Sequence, residues 1–201
     1  MSTPLTLPEI SALATLPDEA ITRILDLLFE PSKELHALSL PAIRAACSPS
    51  APTPLASYDG LVDIVRAELL ALQSQVATHS EPSPTQARLG AKHQLLAILG
   101  AHPRLGAKKV ESAQSAAEQA QLQQASVEEA AKLAALNAEY ESSFPGLIYV
   151  VFVNGRSRDV IMQNMRERIE RGIYALEEVE AIEAMAAIAK DRAAKLLQAS
   201  G

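Results

Sequence analysis

A chain of 201 residues is long enough to bury a sizeable core within one domain. Hydrophobic residues make up 48% of it but aromatics only 3%, with no Trp, so the core must be built from Leu, Ile, Val and Ala, which suits packed helices better than a β-sandwich. The net charge of −6, without any basic block, excludes phosphate-backbone binding as the main task.

No apolar run reaches the roughly 18 residues of a spanning helix, so no membrane partner is expected. The single cysteine, Cys47, excludes an intrachain disulfide and argues against a cysteine-based metal site; it reads as a small packed thiol. The first residues lack a basic region and a long apolar region, and the end, Gln198-Ala199-Ser200-Gly201, is not a peroxisomal tripeptide. A cytoplasmic location is the expectation.

Pro17-Asp18-Glu19 reads as a helix start, with Ile21, Ile24, Leu25 and Leu28 forming a core-facing stripe that Pro31 stops. A second helix is expected over residues 33–40, with Pro41 permitting a new start. Residues 47–57 hold three prolines and no period, and read as a loop. Asp59 is placed to cap a long helix running to about Val76, with Leu61, Ile64, Val65, Leu69 and Leu72 inward. Residues 78–84 form a second polar, Pro-rich loop. Neither loop marks a domain boundary, so residues 1–201 are read as one domain.

Thr85 or Gln86 opens the next helix, with Leu89, Leu95, Leu96 and Leu99 apolar and Gly100 as its stop. Residues 111–124 are Ala/Gln-rich, a helix with little apolar face. Ser126-Val127-Glu128-Glu129 matches a capping box. Leu133, Leu136, Tyr140 and Phe144 follow on one side, and Asn137 on that stripe is a candidate buried amide.

Residues 147–153 are a β-rich run with no other strand to pair with. An extended segment crossing a helical bundle is expected, its unpaired backbone groups open to a ligand. Ser157 or Asp159 starts another helix, with Ile161, Met165 and Ile169 inward, and Gly172 breaks it. A last helix is expected from about Ala175 to Gln198. The reading is all-α: a bundle of eight to nine helices with one extended segment.

Three features carry candidate chemistry. His102 precedes Pro103 and is held off the α region, just after an apolar helix. Ser115, Glu118 and Gln119 fall at i, i+3 and i+4, so they share one helix face; a loop imidazole beside such a carboxylate can act as an acid/base pair. Arg192 falls in line with Met185, Ile188 and Leu196, on the apolar face. A polar helix beside a turn histidine accounts equally for the first two. Snorkelling accounts for Arg192, and anion binding in a pocket is its alternative. There is no phosphate loop, HExxH or CxxC pair, and His36, His79 and His93 show no ligand spacing, so no metal site is expected.

Taken in order, Ala101-His102-Pro103-Arg104-Leu105, Ser115-Ala116-Ala117-Glu118-Gln119, Leu136-Asn137-Ala138-Glu139-Tyr140, Phe144, Gly155-Arg156-Ser157-Arg158 and Arg192 resemble the 2-oxo-4-hydroxy-4-carboxy-5-ureidoimidazoline (OHCU) decarboxylase family. The likeness spans residues 7–198 and is weaker before His102. It implies a helical homodimer acting on a small-molecule ureidoimidazoline without metal or organic cofactor, yielding (S)-allantoin in urate degradation.

The resemblance further implies His102 and Glu118 as catalytic residues. Pro103, Ser115, Gln119, Tyr149, Val150, Val151, Phe152, Val153 and Arg192 would contact substrate. Arg192 against the departing carboxylate would stabilise the ground state more than the transition state, so it is expected at a ring or ureido oxygen. The sequence departs from the family between His102 and Ser115, where the loop is shorter, and at Phe144-Pro145-Gly146-Leu147. A non-catalytic helical interaction protein on the same fold is the rival reading.

Overall fold

The computed structural model describes residues 6–77, 85–107, 114–116 and 126–198. Among these, a short 3-10 helix at Ile10–Ala14 precedes seven α-helices: α1 (Asp18–Leu28), α2 (Lys33–Ala46), α3 (Tyr58–Ala77), α4 (Gln86–Leu99), α5 (Val127–Ser143), α6 (Arg158–Arg171) and α7 (Tyr174–Gln198). Residues 114–116 form a further helical turn. The described residues contain no strand, as expected of an all-α chain. The expected loop at 78–84 and most of the Ala/Gln-rich helix lie outside the described residues.

The long helices α3 and α7 pack along one another and organise the rest. Helices α2 and α4 lie against α3 and each other, α1 lies against α7 and α2, and α5 pairs with α6. The stripe predicted for α1 is buried in full, Ile21, Ile24, Leu25 and Leu28 all facing inward. Burying such a side chain is worth about 2 kcal/mol, which is how an aliphatic-rich chain holds together with few aromatics. Those few are concentrated: Tyr140 stacks on Phe144 and Tyr149 at centroid distances of 5.0 and 5.4 Å, beneath the extended segment.

Caps set the register. Ser126 and Glu129 form the predicted capping box, and Thr85 caps α4 by accepting from the Arg88 N–H. At the start of α3 it is Ser57, not Asp59, whose side chain accepts from a backbone N–H, that of Gly60. A hydroxyl one residue before the first helical turn reaches the orphan donors, whereas Asp59 is already inside that turn.

One further expectation is corrected. Helix α2 does not break before Pro41 but runs through it to Ala46. The proline costs one backbone bond, and the burial of Leu35, Ser39 and Ile43 on both sides of it keeps the helix continuous. Of the apolar residues of α4, Leu89 is 43% exposed, and Ala91, Leu95, Ile98 and Leu99 make its buried face.

Candidate active site

Helix α4 delivers His102. Gly100 ends the helix with its N–H bonded to the Leu96 carbonyl at 2.9 Å, and Ala101 bonds to the Ile98 carbonyl at 3.2 Å. The chain then turns inward, so that His102 is only 9% exposed although it lies in a loop. Its imidazole bonds to the backbone of Phe29, at the end of α1. Its Nδ1 is buried and has no hydrogen-bond partner among the described residues.

Glu30, in the link between α1 and α2, was not anticipated. It is buried at 5% exposure and held at φ 112, a strained conformation for a residue with a side chain. Its Oε1 accepts from the Ser115 hydroxyl at 2.6 Å and from the Arg192 guanidinium at 2.9 Å. Arg192 also donates to the Ser115 hydroxyl at 2.8 Å and to the Leu28 carbonyl at 3.3 Å. Arg192 therefore does not snorkel: it is 2% exposed and closes a buried cluster with Glu30 and Ser115. A signal for Glu30 existed in the sequence. An arginine on an apolar face requires a buried acid, and a glutamate preceding a proline is forced out of its helix.

This cluster governs the histidine. Burial first, then the positive field of Arg192, push the His102 pKa down to about 4, against the opposing pull of Glu30 and the Phe29 hydrogen bond. At neutral pH His102 is an uncharged imidazole, with one nitrogen unpartnered among the described residues.

A cavity of about 290 Å³ opens beside it, lined by His102, Pro103 and Leu105, by residues 149–155, and by Ile188, Asp191 and Lys195 of α7. Of the predicted substrate contacts, Pro103, Tyr149 and residues 150–153 line this cavity, while Ser115 and Arg192 belong to the buried cluster that acts on His102. Glu118 and Gln119 lie outside the described residues.

The floor is fixed by two neighbours. Asn137, the predicted buried amide, donates to the Leu105 carbonyl at 3.0 Å. Gly106 follows at φ 75, and a Cβ there would meet Leu133 Cδ2 at 2.7 Å, so this turn requires glycine.

The extended wall has no strand partner, and its backbone accounting is particular. The Val150 carbonyl accepts from Arg168 at 3.2 Å, the Phe152 carbonyl from the Arg156 guanidinium, and the Val153 carbonyl from the Arg156 N–H at 2.9 Å. Among the described residues, the N–H groups of 149–153 have no such partners. Arg168 is itself buried; its Nε reaches Glu177 at 2.6 Å, and Glu177 also accepts from the Tyr140 hydroxyl at 2.5 Å. The guanidinium lies 4.8 Å from the Tyr149 ring. Burial pushes the Tyr149 pKa up to about 12, partly offset by Arg168 and Arg156, so the phenol stays neutral beside the cavity.

A cavity lined by a neutral imidazole and by an extended segment whose N–H groups have no hydrogen-bond partner among the described residues can bind a planar, carbonyl-rich ring and move a proton on it. The family model for OHCU decarboxylase matches residues 14–194 of the chain. No curated protein matches it. No described helix is long and apolar enough to cross a membrane.

Proposed function

The chain belongs to the OHCU decarboxylase family and is a carboxy-lyase of urate degradation; from that premise we propose that His102 is its proton-transfer residue and (S)-allantoin its product. The observation that supports this is that the buried neutral imidazole and the extended segment 149–153 line one cavity.

The substrate carries its carboxylate on a ring carbon that also bears a hydroxyl and lies next to an imine. When the bond to CO2 breaks, its electron pair enters the ring and the imine nitrogen accepts the displaced pair. The protein need only hold the ring, exclude water and manage protons. The hydroxyl must lose its proton as it becomes a carbonyl, and the carbon bearing the ureido group must gain one. A neutral imidazole takes the first and, as imidazolium, delivers the second to one face. The extra proton consumed with loss of CO2 comes from solvent. Catalysis thus starts from the deprotonated histidine, the form that burial and Arg192 enforce.

Wall N–H groups of residues 149–153 serve the ring oxygens, and Pro103 closes the opposite side. Arg192 and Ser115 hold Glu30, and with it the field at His102; Glu118 serves as the second catalytic residue, orienting the imidazole or binding the ureido N–H groups, and Gln119 completes the substrate contacts. A homodimer in the cytoplasm completes the reading, the lone cysteine being suited to a reducing compartment. Replacing His102 by Ala is expected to lower kcat at least ~100-fold on fresh OHCU; a folded variant that keeps its rate would remove His102 from the reaction.

A further inference from the structure

The cavity wall formed by α7 has its own polar chemistry. Ile188, Asp191 and Lys195 fall at i, i+3 and i+7 and line the cavity together, while Arg192 between them turns to Glu30. Asp191 is the sole carboxylate among the described lining residues. Its side chain is 27% exposed, and Lys195, 66% exposed, places Nζ 2.6 Å from Oδ2. The lysine thus anchors one carboxylate oxygen from the solvent side, leaving Oδ1 to accept from a ligand.

We propose that Asp191 recognises the ureido arm of the substrate and thereby sets which end of the molecule enters first, with Lys195 as its positioning residue. The inference rests on the decarboxylase reading. The two ends of such a substrate have opposite character. The ring carboxylate is anionic and only accepts hydrogen bonds; the ureido arm is neutral and presents several N–H donors. A fixed carboxylate on the wall repels the first and accepts charge-assisted hydrogen bonds from the second. The repulsion has catalytic value, because it keeps the scissile carboxylate away from a partner that would stabilise it in the ground state. Pairing with Asp191 also balances the charge of Lys195, so the wall does not offer the carboxylate an uncompensated cation.

The test compares binding of allantoin with binding of hydantoin, which has the ring but no ureido arm, by calorimetry on the full chain. The wild-type protein is expected to favour allantoin by about tenfold, the worth of one charge-assisted hydrogen-bond set. Asp191→Asn should bring the two ligands within about twofold, and raise KM for OHCU more than it lowers kcat. Lys195→Met should narrow the preference only partly. A wild-type protein without the preference, or a folded Asp191→Asn variant that retains it in full, overturns the assignment. A preference that responds to Asp191→Asn in a protein that does not turn over OHCU would leave the ureido site standing and overturn the decarboxylase reading instead.

Discussion

At the scale of the residue, His102 owes its chemistry to groups remote in sequence. Its ordinary pKa would lie near ~6.5; burial and Arg192 bring it to about 4. If the neutral imidazole starts the reaction, kcat/KM should stay level from about pH 8 down to pH 5 and fall as pH drops through about 4. A profile that instead declines above pH 4 would require the imidazolium at the start. Stability carries the same signature. The folded pKa lies below the unfolded one, so the unfolded chain binds the extra proton between those values, and stability is lost as pH falls from about 6.5 towards 4. Denaturant titrations at stepped pH should show this slope in the wild type and a flatter one in His102→Ala. Of this site, the sequence exposed His102, Ser115 and Arg192, each through an unusual placement. Glu30 was missed: its place before Pro31 and an arginine on an apolar face were signals, but its strained φ of 112 and its pairing with a residue 162 positions away are set by tertiary packing.

At the scale of the element, short-range rules worked where one interaction dominates. The capping box at Ser126 and the stripe on α1 stand as read. They misled where packing overrides propensity: Pro41 sits inside α2, held there by burial on either side. The extended segment is the instructive case. Its lack of a sheet partner was visible in the sequence, but the way it is held was not, since Arg168 and Glu177 come from the end of α6 and the start of α7. Arg168 joins the Val150 carbonyl to a fully buried glutamate. Replacing it with Met would leave that glutamate only Arg171 and the Tyr140 hydroxyl, at a cost of about 3 kcal/mol for the broken buried pair, and would release the Val150 carbonyl. Equilibrium unfolding of Arg168→Met should show the loss; an unchanged midpoint would mean the wall is held by other contacts.

At the scale of the whole molecule, the helices are a frame for three converging pieces: the loop after α4, the link after α1 and the segment between α5 and α6. The all-α class was legible from composition and period alone, because an aliphatic, Ala-rich chain poor in aromatics has few other ways to build a core. The convergence of His102 and the 149–153 wall was legible only through resemblance, since the two meet by tertiary packing, and Glu30 was anticipated in neither way. Both departures from the family pattern adjoin lining residues in sequence: Gly106, at φ 75, follows Leu105, and Gly146, at φ 89, lies three residues before Tyr149. The central claim is that this cavity holds the ring in one orientation and protonates one face. Freshly prepared OHCU should therefore be converted faster than in an enzyme-free blank, with polarimetry recording optically active (S)-allantoin as it forms. Racemic allantoin appearing no faster than the blank would contradict the account.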